Sequence, residues 1–133
     1  MNDKCERCGA GFFAGDCGCQ SAHDKFTKAM DREIRENNGK GGRHGPNGRG
    51  GWISARTEYL LAELHDHTAK LHIAAREADR RSFGNEPRDL PWGDRHPKDL
   101  VLEFAADTAN LAMMLCDSMG AFTFVDPTDG GAE

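Results

Sequence analysis

The chain has 133 residues and a mass of 14.6 kDa, the size of one domain. Apolar residues make up 38% and charged residues 29%; no run approaches the ~18 apolar residues of a membrane-spanning helix, and the start, MNDKCERCGAG, lacks the apolar stretch of a secretory signal. A formal net charge of -5 and a pI near 5.7 argue against a broad electrostatic binder of nucleic acid. The composition predicts a small cytoplasmic protein whose limited core needs a structural metal or a partner subunit.

Residues 1–20 read as a metal module. Cys5-Glu-Arg-Cys8 and Cys17-Gly-Cys19 form two thiol pairs separated by a short glycine-rich loop. Such a set suits tetrahedral Zn²⁺, whose thiolate ligands converge at ~2.3 Å. Gly9, Gly11, Gly15 and Gly18 can adopt the positive φ that tight turns between ligands require. Without a secretory signal, disulfides are disfavoured. With Cys5, Cys8, Cys17 and Cys19 all ligating, the zinc is closed to water and acts as a clip.

Residues 21–51 comprise a short helix and a glycine-rich basic loop. Phe26, Met30 and Ile34 recur at helical spacing over residues 21–37, with Ser21 or Asp24 as the cap. From Asn37 to Gly51 there are seven glycines and no apolar residue, so the segment is expected to be a flexible loop.

Residues 52–122 form the helical core, with long helices expected near 52–80 and 98–119. Along the first, Ile53, Leu60, Leu64, Leu71, Ala75 and Ala78 share a face, flanked by Glu63, His67, Lys70 and Ala74. The connection SFGNEPRDLPWGDRHP precedes a second helix opened by Pro97 and Lys98 and closed by Gly120. Its main face carries Leu100, Val101, Phe104, Thr108, Leu111, Ala112, Leu115 and Met119. Leu102, Ala106, Ala109 and Met113 make the other side apolar or small as well, so this helix is expected between neighbours. Cys116 reads as core. The polar stripe of Glu103, Asp107, Asn110 and Asp117 is either a solvated edge or a Mg²⁺ site, since carboxylates one turn apart share a face. Residues 123–133 read as a flexible tail. Trp92 and Phe83 are open to two readings, base stacking or local packing. No stretch is rich in strand formers, and the architecture is all-α.

The segment EFAADTANLAMMLCD, beginning at Glu103, resembles the last helix of MazG-like all-α nucleotide pyrophosphohydrolases, in particular phage-type members. YLLAELHDHTAKLHIAA sits where those proteins carry their first acidic motif, and Gly51-Trp52 is similar to the lead-in of some of them. The resemblance covers about residues 37–120. It implies a helical bundle of MazG-like type, a Mg²⁺ ion bound between two acidic helices (with His67 in the set, Mn²⁺ is the alternative ion), and cleavage of a nucleoside triphosphate to monophosphate and pyrophosphate. It also implies assembly into a homodimer or homotetramer.

The acidic motifs are degenerate. Asp107 and Asn110 match the second motif, but its glutamate falls on Phe104, and Glu103 is one residue early, about 100° round the helix. In the first motif the acidic positions fall near Asp66, His67 and Lys70. The expected site therefore sets Glu63, His67 and Lys70 opposite Glu103, Asp107 and Asn110. Glu63, Glu103 and Asp107 take the cation, Glu63, His67, Lys70 and Asp107 do the chemistry, and Lys70, Asn110, Arg81 and Arg95 hold the nucleotide. A catalytically degenerate nucleotide binder and a zinc-containing interaction protein are the alternatives.

Overall fold

A computed structural model describes residues 5, 7–9, 18–39, 52 and 56–123. Cys17, Gly11, Gly15, Ile53, the basic residues expected in the glycine-rich loop and the expected tail beyond residue 123 lie outside the described residues. Those described form three α-helices: α1 (Cys19–Gly39), α2 (Thr57–Ser82) and α3 (Pro97–Ser118), followed by a 3₁₀ turn at Ala121–Thr123. There is no named strand among them; the one bridge, Leu90 to Gly93, belongs to the connection between α2 and α3. Among the described residues, no helix is long and apolar enough to cross a membrane.

Local chemistry accounts for the helix ends. α1 starts two residues earlier than its apolar spacing predicts, at Cys19, so Ser21 and Asp24 lie inside the helix and cap nothing; the first turn closes by the Ala22 N–H to the Gly18 carbonyl at 2.9 Å. Gly18 makes that entry possible with φ +86°, which costs a residue without Cβ little. α3 is opened by His96, whose Nδ1 accepts the Lys98 N–H at 3.1 Å, with Pro97 in the first turn. There the missing proline N–H leaves no bond unmade. Gly120, at φ +73°, ends α3 as expected.

α3 lies between α2 and α1, packing along both. Two apolar clusters hold the bundle. Trp52, Leu60, Leu111 and Met114 form one, with Ile34 and Leu64 against it. Ala74, Leu100 and Phe104 form the other, with Leu71, Leu90, Trp92 and Val101 against it. Leu60 and Ala74 lie fourteen residues apart on α2 and His67 falls midway; on α3, Asp107 falls between Phe104 and Leu111. A polar layer therefore separates the two clusters, with α2 and α3 antiparallel.

The buried stripe of α2 runs through Leu60, Ala74 and Glu77 with His67 half-buried between them, one residue round from the apolar face expected, and Ala75 is exposed. Small and polar residues occupy the centre of the contact while Leu64 and Leu71 close it from the side. On α3 the acidic stripe is not a solvated edge, because Asp107 and Asn110 are buried. Cys116 is exposed rather than core; its place on α3 falls about 100° from that of Leu115 and outside the stripe facing α2.

Trp52 anchors the chain ahead of α2 by donating its indole N–H to Asp117 Oδ2 at 2.8 Å. At the other end of α2, the buried Glu77 carboxylate accepts from Arg80 (3.0 Å), Arg81 (2.8 Å) and the Arg88 backbone N–H (2.8 Å). Arg80 and Arg81 in turn donate to the Glu86 and Arg88 carbonyls. These hydrogen bonds fold the connection back onto α2, and Trp92 then meets Phe104 edge-on at 5.0 Å. Trp92 is thus a packing anchor, whereas Phe83 is 78% exposed.

Candidate metal centres

Two groups of metal-ligating side chains converge among the described residues. The first is Cys5, Cys8 and Cys19, whose sulfur atoms lie within 4.8 Å of one another. Cys5 and Cys8 flank a tight turn in which the Gly9 N–H reaches the Cys5 carbonyl at 2.8 Å, with Gly9 at φ +76°. The Arg7 N–H points to Cys5 Sγ at 3.3 Å, a donor that favours the thiolate form a metal needs. Cys19 is the first residue of α1. Three of the four cysteines expected to ligate are thus brought together, and the cluster can bind a metal ion.

The second group lies in the polar layer. Glu33 of α1 and Glu103 and Asp107 of α3 place one carboxylate oxygen each within 4.8 Å of one another. Burial beside Asp107, Glu103 and Glu36 pushes the Glu33 carboxyl up to about 7, against the opposing pull of Arg32. From α2, His67 directs Nε2 towards Asp107 Oδ2 at 3.7 Å. Its Nδ1 lies 2.9 Å from the Glu63 carbonyl; a carbonyl only accepts, so Nδ1 carries a proton. The Nε2–Oδ2 separation exceeds hydrogen-bond distance, and is the spacing of two donors that can share a cation.

The site opens into a groove lined by Arg32, Glu33, Glu36, Arg95, Asp99, Leu102 and Glu103. Arg95, at the end of the α2–α3 connection, donates to Glu103 Oε1 at 2.5 Å. That hydrogen bond, together with the Glu103 and Asp99 charges, holds the guanidinium above its ordinary pKa. Arg32 Nε lies 3.7 Å from Glu33 Oε2. The groove thus carries two arginines beside four carboxylates.

The expected trio from α2 is divided. His67 reaches Asp107, but Glu63 is not among the converging carboxylates and supplies its backbone carbonyl to His67. Lys70 pairs with Asp66 of its own helix at 3.2 Å. Asn110 is buried and donates its amide to the Met30 carbonyl at 2.9 Å, tying α3 to α1. Arg81 is engaged with Glu77, fourteen residues beyond His67 and hence ~21 Å along α2. Glu33 is the member that sequence reasoning missed. Its visible signal was its register, seven residues after Phe26 and four after Ala29 on the packed side of α1.

Comparison with family models, curated proteins and solved structures gives no match to this chain.

Proposed function

We propose that this chain is a metal-dependent nucleotide pyrophosphohydrolase-like protein, with the divalent cation held by Glu33, Glu103 and Asp107 and with His67 beside it. The observation that carries the reading is the convergence of three carboxylates from two helices at a groove bearing Arg95 and Arg32. Carboxylate oxygens suit Mg²⁺ or Mn²⁺, and an imidazole nitrogen favours Mn²⁺ over Mg²⁺. Bound there, the cation supplies phosphate charge neutralisation and water activation.

The chain's own groups do the rest. Arg95 and Arg32 bind phosphate oxygens, for which a guanidinium offers paired donors. His67 keeps Nε2 3.7 Å from Asp107 Oδ2, beside the place of the cation, while the Glu63 carbonyl holds the ring through Nδ1. Support also comes from the likeness of α3 to the second MazG motif at Asp107 and Asn110. The Cys5–Cys8–Cys19 cluster takes Zn²⁺, for which thiolates are the preferred ligands, and serves as a structural clip. A homodimer or homotetramer goes with this reading, and Tyr59, Leu61, Ile73 and Leu102 are exposed apolar side chains that another copy would cover.

The test is release of pyrophosphate from a panel of nucleoside triphosphates with Mg²⁺ or Mn²⁺. Asp107→Ala should lower turnover at least ~100-fold, the scale of losing a group that organises a metal site. The pairing of Arg95 with Glu103 and of Lys70 with Asp66 favours a second reading, a nucleotide binder without turnover. Wild-type protein that binds nucleotides by calorimetry but releases no pyrophosphate would select that reading. Neither binding nor turnover would sink both.

A further inference from the structure

Asn110 holds a polar atom that the packing of the helices does not use. The residue is 2% exposed, and its Oδ1 is buried and meets no donor among the described residues. We infer that this oxygen is a further ligand of the divalent cation, beside Glu33, Glu103 and Asp107; this rests on the reading that those carboxylates hold a cation.

The orientation of the amide is fixed. Nδ2 donates to the Met30 carbonyl of α1 at 2.9 Å. A carbonyl only accepts, so the nitrogen of the amide must face it and the oxygen must not. Oδ1 is therefore turned away from the α1 backbone. A buried carbonyl oxygen without a donor or a cation is costly.

Register directs that oxygen to the carboxylates. α1 and α3 run antiparallel, since Met30 meets Asn110 while Glu33, one turn further along α1, meets Asp107 and Glu103. Asn110 follows Asp107 by three residues and Glu103 by seven, which returns it to within about 20° of Glu103 around the helix axis. Helical side chains lean towards the N-terminus. The Asn110 amide thus leans over the turn of α3 that bears Asp107, and Glu33 leans back along α1 towards Met30. Donors three residues apart on one helix form a working metal-binding pair in carboxylate-rich helical bundles.

The chemistry fits the same ion. Mg²⁺ and Mn²⁺ prefer a shell of about six oxygens, and carbonyl oxygens serve alongside carboxylates and water. A neutral oxygen fills one position without adding a fourth negative charge to three carboxylates that already crowd one another.

Mn²⁺ titrated into the full-length chain, followed by calorimetry, tests this with two variants. Asn110→Leu and Asn110→Asp both lose the amide N–H to Met30, but only Asn110→Asp keeps an oxygen at the site. Asn110→Leu should weaken Mn²⁺ binding at least ~10-fold, whereas Asn110→Asp should bind Mn²⁺ as tightly as the wild type or more so. Asn110→Ala carries the same expected loss as Asn110→Leu with less bulk, and urea unfolding in chelator checks that each variant folds. Wild-type affinity in both apolar variants, or a loss in Asn110→Asp equal to theirs, would overturn the assignment and reduce Asn110 to a tie between α3 and α1, with the three-carboxylate site still standing. A wild type that takes up no Mn²⁺ would remove the cation site itself.

Discussion

Glu33→Gln probes the polar layer most directly. In the wild type a carboxyl that ordinarily titrates near 4.5 is held to about 7, first by burial and then by the charges of Asp107, Glu103 and Glu36. A raised acid pKa means that the folded chain binds the proton more tightly than the unfolded one. Its contribution to stability is fully present below pH ~4.5 and is lost as pH rises through about 7. Taken at face value the difference is worth about 3 kcal/mol, and screening by solvent in the groove and by Arg32 reduces it to about 1–2 kcal/mol. The assay is urea unfolding of wild type and Glu33→Gln in chelator across pH 5–8. The wild type should lose about 1–2 kcal/mol relative to the variant over that range, and Mn²⁺ should restore the loss only in the wild type. A difference that stays flat with pH, or that grows in the wild type's favour, would refute the account of Glu33 as the repelled member of a three-carboxylate cluster.

Two further outcomes concern the scaffold. Leu60→Ala removes a fully buried side chain from the Trp52–Leu111–Met114 cluster and should cost about 2–4 kcal/mol in urea unfolding at an unchanged slope. Glu77→Gln should free the α2–α3 connection and raise the rate of limited proteolysis between Phe83 and His96, because one carboxylate holds Arg80, Arg81 and the Arg88 N–H. Glu77 is held down to about 2, so its support is present above pH ~4.5 and is lost as pH falls towards 2. The variant should lack that part of the acid transition.

Much of the scaffold is legible from residue spacing. Leu60, Leu64 and Leu71 on one helix and Leu100, Phe104 and Leu111 on the other mark the two long helices, and Pro97 and Gly120 mark the ends of α3. The exact facing is not legible, because the centre of each contact is occupied by small or polar residues. On α1, Phe26, Met30 and Ile34 read as the buried stripe, yet Ala29 and Glu33 are the buried residues and the larger side chains flank them. Glu33 also sits in the run DREIREN, whose charges look uniformly solvated. Only the packing of α1 on α3 brings Glu33 to Glu103 and Asp107, which lie 70 or more residues away in sequence. Two of the three carboxylates, Glu103 and Asp107, were visible as a stripe, whereas the third, Glu33, was not.

The polar layer also has a consequence for how the chain finds its alignment. Two antiparallel apolar helices can slide past one another by a turn, ~5.4 Å, with little change in the area they bury. Here His67 and Asp107 divide the contact between α2 and α3 into two short apolar stretches. A one-turn slip would push Asp107 against the leucines of one stretch, where a carboxylate without a polar partner is costly. Hydrophobic residues at these two positions would bind the helices more tightly and leave several alignments close in energy. With them polar, a single alignment is left, and it is the one that presents Asp107 to Glu33.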